Sequence, residues 1–280
     1  MSGPSLLPRL EALIKTSLPS LAVRRVAALI GPRIRFTGDY PTWEAASADA
    51  SGYAHAGALE AAAQQTLEQR SQALRGGDDW FRGRLRHSWP VLAGLLGAAS
   101  REGGRLSVLD FGGGLGALQF VLRPLLGGLR DLRWSIVEQP HVVSRGRAQF
   151  ADGVLRFHES AEESVAAERP NVLLLAGVLQ YLPEPFAQLE RLLALEIPHV
   201  IVDRTLLLEG DADRLAVQRL PPSLGRASYP CWLFGATPFP TRFPAYELAA
   251  AFESTLDASA TVGGRQLSSQ GFVFRRRGVL

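Results

Sequence analysis

The stretch Val108-Leu109-Asp110-Phe111-Gly112-Gly113-Gly114-Leu115-Gly116 decides how this chain is read. An apolar run ends on an acid, and four glycines then fall within five positions. Glycines after a strand let a ligand approach backbone that a Cβ would shield, and the following helix points free N–H groups at that ligand. A tight strand-to-helix connection without ligand has similar glycines, so the turn alone names no cofactor. The spacing Gly112-x-Gly114-x-x-Ala117 satisfies a dinucleotide fingerprint, with Glu138 ending the next apolar run where a ribose-binding acid belongs. Asp110 points elsewhere. A carboxylate at that position repels a pyrophosphate yet attracts an ammonium group, directly or through water.

Around this turn the chain alternates between two periods. Leu106–Phe111, Leu132–Glu138, Val154–His158, Asn171–Ala176 and His199–Asp203 read as strands. Ala117–Leu126, Val142–Phe150, Ala161–Ala167 and Pro185–Leu195 read as helices between them. Such alternation predicts an α/β fold, with a parallel sheet covered by helices on both faces. An insertion over 205–240 follows the fifth strand. A helix (Ala245–Phe252), a strand (Ser254–Val262) and a last strand (Gly271–Arg276) are expected after it. Upstream, Leu6–Ser17, Leu21–Ile30, Ala56–Arg75 and Asp79–Ala99 carry helical spacing, interrupted by a loop at Gly31–Gly52. The expected organisation is therefore an N-terminal helical extension or lid over 1–104 and a Rossmann-like domain over 105–280.

Composition narrows the class. Of 280 residues, 46% are hydrophobic and 20% charged, the balance of a soluble globular chain. The pI near 9.4 reflects a net charge of only +3. Basic residues are scattered, apart from Arg82, Arg84 and Arg86 and the run Arg275–Arg277, whereas nucleic-acid surfaces concentrate them on one face. A small-molecule substrate is expected rather than nucleic acid. Cys231 is the sole cysteine, which excludes a disulfide framework and a thiolate zinc cluster. His55, His87, His141, His158 and His199 show no metal-ligand spacing. No apolar run is long enough to span a bilayer, and no secretory pattern opens the chain, so a cytoplasmic location is expected. Segment Leu6–Ile30, with Arg9, Lys15, Arg24 and Arg25, reads as a helix packed on the domain, with peripheral membrane contact as the alternative. A homodimer stays open.

The order apolar-apolar-Asp-x-Gly-x-Gly-x-Gly resembles the first motif of class I S-adenosylmethionine-dependent methyltransferases, and Glu138 resembles their second. Arg156-Phe157-His158-Glu159-Ser160 stands where such enzymes place adenine contacts. Ala176-Gly177-Val178-Leu179-Gln180-Tyr181-Leu182-Pro183-Glu184-Pro185 resembles the Val-Leu-His-His-Leu segment of small-molecule methyltransferases, with Gln180 and Tyr181 in place of the histidines. The Asn/Asp-Pro-Pro-aromatic signature of nucleobase amino-group methylation is absent. As a set, Gly38-Asp39-Tyr40-x-x-Trp43, Gly52-Tyr53, Leu179–Leu182, Asp203-Arg204-Thr205 and Ser228-Tyr229-Pro230-x-Trp232 resemble a family of bacterial methyltransferases without assigned substrates. Its members are associated with surface-polysaccharide biosynthesis genes. The resemblance covers approximately residues 36–250. It implies a seven-stranded Rossmann-like sheet and S-adenosylmethionine as cofactor. Asp110, Gly112, Gly114, Gly116, Glu138, His158, Gly177 and Val178 are the residues expected to hold it.

The acceptor side follows from position. Ligands of open α/β sheets bind beyond the carboxyl ends of the strands, where Asp203, Arg204 and Gln180 fall. Asp203 is a candidate base or orienting group for a hydroxyl, or else an Asp–Arg or capping contact; His199 and His55 are weaker candidate bases. Arg204 suits an anionic substrate group. Tyr229 and Trp232 suit stacking on a sugar or ring, or the core of the insertion. Tyr40 and Trp43, with Asp39, form a lid or a structural turn. These residues point to O-methylation of a small polar acceptor such as a sugar. The alternatives are a nicotinamide-dependent oxidoreductase or epimerase, for which the Tyr-x-x-x-Lys dyad is missing, and a cofactor-binding module without turnover.

Overall fold

The apolar runs around the glycine turn form the centre of a sheet in this computed structural model, which describes residues 34–51, 58–75, 78–221, 227–254 and 260–278. The expected helices Leu6–Ser17 and Leu21–Ile30, with Lys15, and also Tyr53 and His55, lie outside the described residues. β2 (Arg105–Phe111) lies between β3 (Asp131–Val137) and β5 (Val172–Ala176). β4 (Leu155–His158) flanks β3, and β6 (His199–Leu208) flanks β5, all five strands being parallel. β11 (Arg265–Arg276) runs antiparallel beside β6, and β9 (Tyr246–Glu253) antiparallel beside β11. The order β4-β3-β2-β5-β6-β11-β9 is the expected seven-stranded Rossmann-like methyltransferase arrangement with an antiparallel last strand.

Alternation along each strand splits the core into two layers. Val108, Ile136, Leu174 and Ile201 face one layer, which is roofed by α2 (Ala58–Arg75), α3 (Asp78–Arg101), α4 (Ala117–Leu126) and α5 (Pro140–Gln149). Their neighbours Leu109, Val137, Leu173 and Val200 face the other, which is roofed by α6 (Ala161–Glu168) and α7 (Pro185–Leu193). α2 and α3 thus share the sheet's own core: Ala63, Val91, Leu95 and Ala98 pack into the first layer.

Two expectations are corrected. The run Tyr246–Glu253 is a strand, not the helix expected over Ala245–Phe252. Glu247-Leu248-Ala249-Ala250-Ala251 has high helix propensity, but the ladder with β11 overrides it. Of the strand expected over Ser254–Val262, Ser254 lies outside any strand and Ala260–Val262 forms β10, which pairs with β11; residues 255–259 lie outside the described ones.

The sheet is also larger than seven strands, with eleven among the described residues. β6 runs past its expected end at Asp203 to Leu208, where Leu207 and Leu208 pair in parallel with β8 (Ser228–Gly235). β7 (Arg214–Arg219) pairs with β8, and β1 (Arg35–Thr37) with β7, both antiparallel. The insertion is therefore a branch of the main sheet. The expected loop 31–52 holds β1 and the short helix α1 (Trp43–Ala48), whose first turn is capped by the Thr42 hydroxyl accepting from Ala45 N at 3.2 Å. No helix among the described residues is long and apolar enough to cross a membrane.

Candidate functional site

Three of the four glycines are explained by the chain itself. A Cβ on Gly112 would strike Val178, one on Gly113 would lie 2.5 Å from Asp110 Oδ2, and one on Gly116 would lie 2.9 Å from Leu155. Gly114 is different. With φ +60°, its Cβ would meet nothing within 4 Å, so this backbone faces open space. Its N–H donates to Glu138 Oε1 at 3.2 Å, and Gln139 N donates to Oε2 at 3.0 Å. Glu138 N in turn donates to His158 O at 3.1 Å, so the ends of β2, β3 and β4 are tied around one opening.

Asp110 lies beneath the turn, 2% exposed. Trp134 Nε1 donates to its Oδ2 at 3.0 Å. Burial pushes the carboxyl up to about 7, against the lowering effects of the Trp134 bond and the Arg204 charge. Glu138 adds a further upward push. The carboxylate acts across the turn as a field, because the backbone at Gly113 covers it.

The other wall comes from β5 and β6. Thr205 pairs with Gln270 and Val202 with Phe272, so Asp203 and Arg204 together oppose Gly271 alone. This is a β-bulge, and Arg204 sits in it at φ 54°. The bulge is hydrogen-bonded on every side: Gly177 N donates to Asp203 O at 2.8 Å, and Gln180 Nε2 donates to Arg204 O at 2.9 Å. Arg204 N donates to Ser254 Oγ at 3.1 Å, and Ser254 Oγ donates to Asp203 Oδ1 at 2.6 Å.

The structure thus brings Asp203, Gln180 and Arg204 together, but with other roles than expected. Asp203, 4% exposed, has its carboxylate committed to Ser254 in the interior, which corrects the expectation that it is an open base facing the crevice. Gln180 is buried and grips the bulge. Only Arg204 turns toward the opening, with its guanidinium beside Gly177. Asp203→Ala would leave the buried Ser254 hydroxyl without its acceptor, at a cost of about 1–3 kcal/mol. A urea midpoint equal to wild type would refute that role.

Further corrections concern the aromatic residues and histidines. Tyr229 is buried with its ring edge-on to Tyr181 at 5.3 Å, and so offers no open stacking face. Trp232 is wedged, partly buried, between two core clusters. Tyr40 donates to the Asp49 carboxylate, a bond that raises its hydroxyl pKa. With Trp43 it packs against Leu215 and Val217 of β7, which anchors the expected lid to the sheet branch. His158 is 6% exposed, with Nδ1 at 3.3 Å from Glu163, so little of its ring is presented to a ligand. His199 starts β6, roughly 16 Å from Arg204 at 3.3 Å per residue, and burial lowers its pKa. Arg275 and Arg276 are ion-paired with Glu247 and Glu196. Val178 packs against Gly112, and Gly177 lies beside the Arg204 guanidinium.

Ser254 and Trp134 are missed by sequence reasoning. Trp134 shares a face of β3 with Ile136, a two-residue period that places it beside Asp110 on the neighbouring strand. Ser254 has no such signal, since its partners lie some fifty positions away.

A groove of about 410 Å³ lies between α1 and α7. Trp43, Glu44, Leu182, Glu184, Gln188 and Arg191 border it.

No family model and no curated protein matches the chain. Among solved structures it is similar to the N-terminal domain of EvdMO1 with SAH bound: 13% identity over 66% of this chain and 81% of that one, TM-score 0.43. It is similar to magnesium protoporphyrin IX methyltransferase from Synechocystis PCC 6803 with bound SAM: 12% identity, 75% and 90% covered, TM-score 0.44. A third is 1,6-didemethyltoxoflavin-N1-methyltransferase from Burkholderia thailandensis: 19% identity, 81% and 93% covered, TM-score 0.39. The fold class rests on the strand order, and the reading of the crevice rests on its own residues.

Proposed function

We propose that this chain is an S-adenosylmethionine-dependent methyltransferase acting on a hydroxyl of a small polar acceptor such as a sugar or glycan precursor. The observation that carries the cofactor reading is the open backbone at Gly114 with the Glu138 carboxylate beside it. Glu138 would accept from both ribose hydroxyls, and Asp110 would supply negative charge beneath the turn. A bound S-adenosylmethionine supplies a sulfonium methyl group, whose leaving group is good enough that positioning and exclusion of water do most of the rest. The acceptor proton passes to water during or after attack, and Asp203, held by Ser254, shapes the wall rather than taking that proton.

The groove between α1 and α7 supports the polar acceptor. Trp43 lines it, with Glu44, Glu184, Gln188 and Arg191 as hydrogen-bonding groups. That mixture suits a ring bearing hydroxyls. The segment from Gly177 to Glu184 borders the cofactor crevice at one end and the groove at the other.

Calorimetric titration with S-adenosylhomocysteine and NAD side by side tests the cofactor. Binding of the first at micromolar Kd or tighter is expected, about −8 kcal/mol. Glu138→Ala is expected to weaken it by approximately 1.5–3 kcal/mol with the fold intact. Binding of NAD alone would refute the proposal.

A further inference from the structure

Arg204 is held in a way that packing does not require. Its left-handed backbone is strained for any residue with a side chain and free for glycine. Four hydrogen bonds to its own and Asp203's groups keep the bulge in place. What this backbone achieves is aim: on a regular strand Arg204 would alternate away from Asp203, whereas here it turns over Gly177 toward Asp110. A Cβ on Gly177 would stand 3.5 Å from Arg204 Nε, and the Arg204 charge is felt at Asp110.

The guanidinium is only partly engaged. Nη2 donates to Ala176 O at 2.9 Å. Nε is buried without a hydrogen-bond partner, 3.7 Å from Asp203 Oδ2. The side chain is 42% exposed, so one end is fixed and the rest of the fork faces the crevice. A planar fork so placed matches a carboxylate. The nearby carboxyls of Asp110 and Glu138 disfavour a more highly charged anion such as a pyrophosphate.

We propose that Arg204 reads the carboxylate of the cofactor's amino-acid arm, with Asp203, Ser254 and Gln180 as the residues that position it. This rests on the cofactor reading above. Arg204 and Asp110 then present opposite charges to the two ends of a zwitterion, which selects an amino-acid-bearing nucleoside over a nucleoside alone.

Two ligands separate the claims: S-adenosylhomocysteine, and 5′-methylthioadenosine, which lacks the amino-acid arm. Arg204→Gly suits the left-handed backbone, so its melting temperature should match or exceed wild type. Its affinity for S-adenosylhomocysteine should fall about 10- to 100-fold, with 5′-methylthioadenosine changed less than about twofold. Arg204→Lys should lose part of that affinity, keeping the charge without the fork. Equal losses for both ligands would show a structural wall and overturn the proposal. No loss for either would overturn it too, and would send the fork to an anionic acceptor. Wild-type protein that binds neither ligand would overturn the cofactor reading itself, along with this role.

Discussion

Gly114→Val is expected to lower S-adenosylhomocysteine affinity more than about 100-fold while the protein stays folded. The reasoning is steric and depends on which side of the backbone is empty. At Gly114 the new side chain meets no atom of this chain within 4 Å, so it projects into the open space that the proposed cofactor would take. Its cost to folding is the left-handed conformation at φ +60°, on the order of 1–2 kcal/mol, or a melting temperature lower by a few degrees. Gly113→Val is the contrasting control. There a Cβ would lie 2.5 Å from the Asp110 carboxylate, so the damage should appear as unfolding. Near-wild-type affinity in folded Gly114→Val would place the ligand elsewhere.

That contrast marks what the sequence could tell. A turn with four glycines after an apolar strand is visible as a pattern, but the pattern assigns all four to one cause. In the structure Gly112, Gly113 and Gly116 are small because Val178, Asp110 and Leu155 stand against them, and Gly114 alone faces outward. The central strands were legible for the same reason as the turn, since a buried parallel strand must be apolar throughout and helices must intervene. β9 was not legible, because Glu247-Leu248-Ala249-Ala250-Ala251 prefers a helix locally, and its pairing with β11 is settled by residues well outside that segment.

The bulge in β6 shows the limit most clearly. Adjacent residues on a strand point to opposite faces, so Asp203 and Arg204 could not both reach one crevice unless the strand broke its period. It does break there, at a bulge set by the register of β11, and the break favours Arg204. Asp203 is turned inward to Ser254, from a segment 51 positions later. The residue types read as chemistry-bearing, but long-range pairing decides which of the two turns toward the opening.

Asp110 should make the free protein lose stability, and gain cofactor affinity, as pH rises toward neutrality. The unfolded chain gives up this proton near pH 3.8, whereas the folded chain keeps it to about pH 7, chiefly because the carboxyl is buried. Between those values the folded state binds more protons, so stability falls with rising pH across that window and levels off above it. At about 1.4 kcal/mol per unit the fall is on the order of 4 kcal/mol. Binding has the opposite dependence. The cofactor's ammonium favours the ionised carboxylate, so S-adenosylhomocysteine affinity should rise nearly tenfold per unit from pH 5 to 7 and then flatten. Arg204 and Glu138 are the charged groups that act on Asp110, and their changes are separated from its own by the variant. Asp110→Asn keeps an acceptor for Trp134 Nε1 and removes the titration. It should melt higher than wild type at pH 8, bind S-adenosylhomocysteine more weakly there, and lose the affinity rise, keeping in its melting profile only the slopes of other groups such as His199, whose lowered pKa adds stability as pH rises. If wild type and Asp110→Asn have parallel melting and affinity profiles from pH 5 to 8, Asp110 is not the titrating group, and the charge beneath the turn plays no part in holding the ligand.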